Sequence, residues 1–181
     1  MRWIIIILIS AFFTGCSSAE YIVNIAGEKI SVEEYNIYLY EQRMFFEEIG
    51  GSDIWGIEID GRPSELVARQ NAMESLIHIK VAVLQAREMG IYLTDDDRMR
   101  AIEEAHILME EMYQYFGYAR FSESIVITAR EDVILFERLY EYITYGIKNG
   151  ADVFEEHHIT WRANTHIDIN EDVFYAQAQL Y

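Results

Sequence analysis

From Ser31 to Ile147 the apolar positions recur at spacings of three and four residues, the period of a helix face, whereas short β-rich or alternating stretches stand near the two ends. Tyr21-Ile22-Val23-Asn24-Ile25 is β-rich and stops at the turn pair Ala26-Gly27, with Lys29-Ile30 as a short return. Ser31 followed by Glu34 has capping-box spacing, so a first helix begins there and runs to about Ile49, where Gly50-Gly51 ends it. Tyr35, Tyr38, Leu39, Gln42, Phe46 and Ile49 fall on one face of that helix, and a second apolar row, Ile37, Tyr40 and Met44, lies on a different side. A helix apolar over so much of its circumference is either buried between neighbours or presents an interaction surface.

Residues 52–62 read as an irregular link with Trp55 and the turn Asp60-Gly61. Pro63 and Ser64 open a second helix that reaches Met89 before Gly90, with the stripe Leu66, Met73, Ile77, Val81 and Leu84. Thr94 caps a third, whose first turn carries Asp95, Asp96 and Asp97 against the positive helix end. Its expected core stripe is Met99, Ile102, Met109, Tyr113 and Phe116, ending at Gly117. A fourth helical region starts near Ser122, with the row Val133, Phe136, Tyr140, Ile143 and Ile147, and a short helix is expected around residues 151–161. Thr165-His166-Ile167-Asp168-Ile169-Asn170 then alternates strictly, as a half-buried strand does. A lone strand leaves backbone groups unpaired, and Tyr21 to Ile25 is the other good candidate, so the two ends should meet in one sheet. The fold class expected is mostly α, with a small sheet built from the N- and C-terminal ends.

The first fifteen residues differ in kind from the rest. Arg2 is followed by an apolar run from Trp3 to Phe13 broken only by Ser10, then Thr14-Gly15-Cys16-Ser17-Ser18. This is the layout of a secretory signal peptide, and the run falls short of the ~20 apolar residues a spanning helix needs. Cys16 is the only cysteine, which rules out an intramolecular disulfide. Its position after Thr-Gly resembles a bacterial lipobox, although Phe13 stands where Leu is usual. The expected organisation is a signal peptide over 1–15, a lipidated tether over 16–20 with Cys16 acylated, and one domain over 21–181, outside the cytoplasm and held to the cell membrane by lipid.

The formal net charge of −17 becomes −18 once Arg2 is removed, which argues against nucleic acid as a partner and against anionic lipid surfaces except through the anchor. Glu155-Glu156-His157-His158, with His166 nearby, is the one cluster of metal-capable side chains, but it lacks the HExxH spacing and reads as a solvated face. The serines have no nucleophile-elbow setting. No active site, metal or cofactor is therefore expected.

The apolar surplus is more informative. Thirteen Tyr, nine Phe and seven Met are present, concentrated in the first helix and in Met109, Met112, Tyr113, Tyr115, Phe116 and Tyr118. Flexible Met and amphipathic aromatic side chains suit a surface that accepts varied apolar peptides. The candidate client-binding residues are Ile37, Tyr40 and Met44 with Met112, Tyr113 and Phe116, and the candidate partners are unfolded or aromatic-rich polypeptides.

Four short motifs in order carry a resemblance. Val23-Asn24-Ile25-Ala26-Gly27-Glu28-Lys29-Ile30-Ser31-Val32-Glu33-Glu34-Tyr35 resembles the strand, turn and helix that open the chaperone domain of the SurA/PrsA family. Ile54 to Gly61, Ala72 to Ile91 and Leu93-Thr94-Asp95-Asp96 are similar to later stretches of the same family, so the resemblance spans about residues 20–147. It implies an extracytoplasmic foldase whose helical cradle holds unfolded secreted clients without ATP, often beside a parvulin-type prolyl isomerase domain. Only 31 residues follow Gly150, fewer than the ~50 of even a small domain, so the expectation is the chaperone module alone, without an enzyme site. A prolyl isomerase and an adaptor docking one folded envelope partner are the alternatives.

Overall fold

The computed structural model describes residues 21–117 and 121–176; Cys16, the segment before it and Tyr118 lie outside the described residues. The chain enters as a hairpin, β1 (Tyr21–Ile25) and β2 (Glu28–Ser31). Ala26 and Gly27 both have positive φ, 51° and 93°, which gives the hairpin the twist its strands require. The Ser31 hydroxyl then accepts the Glu34 N–H at 3.1 Å and starts α1 (Val32–Gly50). Glu34 does not close the capping box, because its carboxylate turns inward to Lys80 instead.

A 3-10 turn (Ser52–Gly56) and a two-rung ribbon, β3 (Glu58–Ile59) with β4 (Arg62–Pro63), occupy the stretch expected to be irregular. Then come α2 (Ser64–Glu88), α3 (Asp95–Phe116) with a full Thr94/Asp97 capping box, α4 (Glu123–Thr144) and α5 (Gly150–Asn164). The last helix of these is longer at both ends than the 151–161 expected.

β5 (Ile167–Ile169) lies antiparallel to β1, with Val23 opposite Ile169 and Ile25 opposite Ile167, so the sheet order is β2-β1-β5 and the ends meet as expected. Asn170 then turns the chain into α6 (Glu171–Ala176), a six-residue helix the sequence pattern does not announce. Among the described residues the fold is a helical domain with one small terminal sheet, and no helix there is long and apolar enough to cross a membrane.

α1 is buried between neighbours over its N-terminal half. Tyr35, Tyr38 and Leu39 pack with Leu76, Ile77 and Val81 of α2, with the sheet, and with Val173 and Phe174 of α6. On the other side Ile37 and Tyr40 pack with Ala105, Leu108 and Met112 of α3 and with Val126 and Ala129 of α4. α2, α4 and α5 share a third cluster around Ala86, Leu139 and Phe154.

Two expected stripes are corrected. On α3 the buried face is Ala101, Ala105, Leu108 and Met112, while Met99, Ile102 and Tyr113 stand 61%, 41% and 52% exposed. Alanines let the α3 and α4 backbones approach closely, and the larger side chains one position over are left outside. On α4 the buried face is Val126, Ala129, Ile134, Leu135 and Leu139, with Tyr140 at the surface, and Ile147 lies exposed beyond the helix end.

Candidate binding site

α1 and α3 both pack on α4, and between them lies a groove of about 1060 Å³. Its α1 wall is Tyr40, Glu41, Met44, Phe45, Glu47 and Glu48. Residues four apart on a helix share a face, so Tyr40, Met44 and Glu48 follow one another along it. The facing wall repeats the device on α3 with Glu104, Ile107, Leu108, Glu111 and Tyr115. At 1.5 Å per helical residue these walls run about 12–16 Å, room for about four residues of extended chain.

The floor is apolar and the rim acidic. Met44, Phe45 and Ile107 are 39%, 53% and 56% exposed, a concentration of accessible apolar surface along one cleft. Tyr40 forms the base, edge-on to Tyr115 at 5.5 Å and tilted against Phe116 at 5.9 Å. The Tyr115 hydroxyl donates to Glu47 Oε1 at 2.9 Å, tying α3 to α1, and the Trp55 indole N–H donates to the same oxygen at 2.8 Å. Arg43, beside the groove, makes a two-pronged contact with Glu65 at 2.9 and 3.0 Å and stacks over Trp55. These contacts hold the α1 wall rigid from behind.

Five carboxylates, Glu41, Glu47, Glu48, Glu104 and Glu111, line the groove against one guanidinium, Arg130, which is already paired with Glu41 at 2.6 Å. Glu104 is paired with Arg100 at 2.7 Å. Burial, and then the charge of Glu111, pushes the Tyr40 phenol above its usual value, so the negative field reaches the floor.

The six residues singled out from sequence divide. Tyr40 and Met44 line the groove. Ile37 and Met112, at 0% and 2% exposure, are corrected to core positions beneath it, and Tyr40 at 4% is as much core as lining. The reason is the α3–α4 hairpin, which covers the second row of α1. Phe116 backs Tyr40 and meets Phe121, and Tyr113 is exposed outside the groove. Sequence reasoning missed Phe45, Ile107 and Tyr115. The available signal was the three-four spacing at which Glu and apolar residues alternate from 104 to 115.

In the histidine-rich stretch Glu155, Glu156, His157 and His166 are exposed, as a solvated face requires, and His158 alone is buried. His158 is buried, stacks on His78 at 3.7 Å between centroids, and its Nε2–H donates to the His78 carbonyl oxygen at 2.9 Å. Burial, and then the neighbouring His158, lowers the His78 pKa, which favours the neutral form of that ring. No group of three or more His, Cys, Asp or Glu is placed to hold a metal ion among the described residues.

No curated protein and no solved structure matches the chain. The family described as SurA-like N-terminal domain matches residues 1–126, and no isomerase domain is matched beside it. The hairpin, the capped α1, the long α2 and the α3–α4 packing that builds the groove begin within that span. The match covers more than half of the chain and places it in a chaperone-related lineage: the chain belongs to the SurA-like N-terminal domain family.

Proposed function

We propose that this protein is an extracytoplasmic, ATP-independent chaperone that holds apolar stretches of unfolded polypeptide in the groove between α1 and α3, without isomerase chemistry of its own. The observation that carries this proposal is the accessible apolar floor of Met44, Phe45 and Ile107 in a cleft of peptide size, within a SurA-like domain.

The test is a pair of variants with opposite expectations. Met44→Ser/Phe45→Ser removes accessible apolar area worth about 25 cal/mol per Å² to a bound peptide. It should weaken capture of an unfolded client by about tenfold, which corresponds to ~1.4 kcal/mol, while the unfolding midpoint stays put. Tyr40→Ser should instead cost about 3 kcal/mol of stability, since it empties a buried site and adds a hydroxyl. Aggregation suppression and urea unfolding read the two effects separately. A Met44→Ser/Phe45→Ser protein that suppresses aggregation as well as the parent would place the client site elsewhere.

We also propose that Cys16 carries the lipid that holds the protein at the membrane. Its support is the signal-like run before it and the Thr14-Gly15 pair. Cys16→Ser is expected to move the protein to the soluble fraction or to leave an uncut precursor, and metabolic labelling with a fatty-acid analogue should mark the parent alone. A parent that takes up no label would overturn the assignment.

A further inference from the structure

Apolar lining alone does not distinguish one unfolded segment from another, but the rim of this groove has a sign. Of its five carboxylates, Glu41 and Glu104 are neutralised by Arg130 and Arg100, and Glu47 accepts from Trp55 and Tyr115. Glu48 on α1 and Glu111 on α3 have no ion-pair partner among the described residues, and both stand exposed on the two walls. Charge of one sign over an apolar floor selects a ligand with the opposite sign around an apolar centre.

We propose that the groove is specific for cationic amphipathic segments, in which Lys or Arg flanks aromatic or aliphatic side chains: the apolar residues seat on Met44, Phe45 and Ile107, and the basic residues reach Glu48 and Glu111. This rests on the reading of the groove as the client site. Lys and Arg fit this division in their own structure, because their alkyl stems lie along apolar surface while the charged head reaches outward to a carboxylate. An acidic segment meets uncompensated like charge on both walls, which makes rejection as much a part of the specificity as attraction.

The experiment uses the purified protein and a labelled peptide alternating Phe and Leu with Lys, beside isosteres in which Gln or Glu replaces every Lys, with binding followed by fluorescence anisotropy at low and high salt. The Lys peptide is expected to bind about tenfold more tightly than the Gln peptide at low salt, each exposed charge pair contributing a few-fold. The Glu peptide should bind most weakly, and added salt should shrink the differences. Glu48→Gln/Glu111→Gln removes both pairs and should abolish most of the roughly tenfold Lys preference while leaving the Gln peptide unchanged. Glu103→Gln/Glu156→Gln removes the same charge from exposed positions outside the groove and should leave the preference intact.

Equal affinity for the Lys and Gln peptides, both weakened by Met44→Ser/Phe45→Ser, would overturn the charge specificity and leave the groove as the client site. Binding untouched by Met44→Ser/Phe45→Ser would overturn both. Equal effects of the two Glu→Gln pairs would assign the preference to the overall charge of −17 rather than to the groove.

Discussion

Replacing Lys80 by Met is expected to lower the unfolding free energy by about 3–5 kcal/mol, because it strands two carboxylates in the interior. Lys80 Nζ lies 2.6 Å from both Glu34 Oε1 and Asp132 Oδ2, and 3.5 Å from Glu28 Oε1, with its side chain only 5% exposed. One ammonium thus joins β2, α1, α2 and α4. Arg87 approaches Asp132 from the surface at 3.6 Å, too exposed and too far to replace the lysine. The negative surroundings extend to Tyr38, whose buried phenol is pushed well above its usual value by desolvation first and then by Asp132 and Glu34.

Burial alone would lower the Lys80 pKa, but the attraction of Asp132 and Glu34 overcomes it and holds the group above its ordinary value. Its stabilisation is therefore fully present below the unfolded lysine value and lost only as pH rises through the raised one. Glu34 shifts in the same direction: burial raises its pKa more than Lys80 lowers it, so it too loses stability as pH rises from its ordinary value through the raised one. In the Lys80→Met protein Glu34 loses the one influence that lowers its pKa and should take up a proton more readily when folded than when unfolded, so lowering the pH from neutrality should return part of the loss. Adding Glu34→Leu and Asp132→Leu should restore at least half of it at neutral pH, since an apolar replacement of a whole buried network is often tolerated. Urea unfolding of these variants decides the matter, and a loss of under ~1 kcal/mol in Lys80→Met would show that the network is effectively solvated.

Local signals in the sequence located most elements because each acts over a few residues. The Ser31 hydroxyl, the Thr94 cap and the alternation at 165–170 each specify a start or a pairing on their own, and each is found in place. What failed was deciding which side of a helix is covered. Met99 and Ile102 are the more hydrophobic side chains, yet Ala101 and Ala105 face α4, because close backbone approach rewards small residues over large ones. Ile37 and Tyr40 were equally consistent with core and with surface until the position of the α3–α4 hairpin was known. Lys80, Asp132 and Arg69 sit on helices where a charge is normally solvated, and their burial depends on partners up to 105 residues away. The groove likewise is lined by residues 56 or more apart in sequence, on two helices that share α4 as a support, so neither helix alone reveals it.

The other large effect is expected at the C-terminal end. Deleting residues 167–181 removes β5 and α6, and with them the cover of the first core cluster: Val173 and Phe174 are 4% and 7% exposed, and Ile167 and Ile169 pack beside them. β1 loses its pairing to β5, so a strand carrying Ile22, Val23 and Ile25 becomes an edge open to other chains. A further cost falls on Arg69, which is 1% exposed. One of its terminal N–H groups donates to the Phe174 carbonyl oxygen, and its guanidinium lies 4.9 Å from the Phe174 ring centroid. Without α6 that charge faces an emptied site. Phe174→Ala alone should cost about 3–5 kcal/mol, and the deletion more, against a total stability of the order of 5–15 kcal/mol. The truncated protein should therefore show no cooperative unfolding transition and should aggregate, while Phe174→Ala melts about 6–20 °C lower, at 2–4 °C per kcal/mol for a chain of this size. Asp168→Ala, at an exposed position of the same strand, should leave the midpoint within about 2 °C. Calorimetry on the three proteins checks the order, and a truncation that melts cooperatively near the parent temperature would mean that β1, β2, α1 and α2 close their core without the C-terminal end.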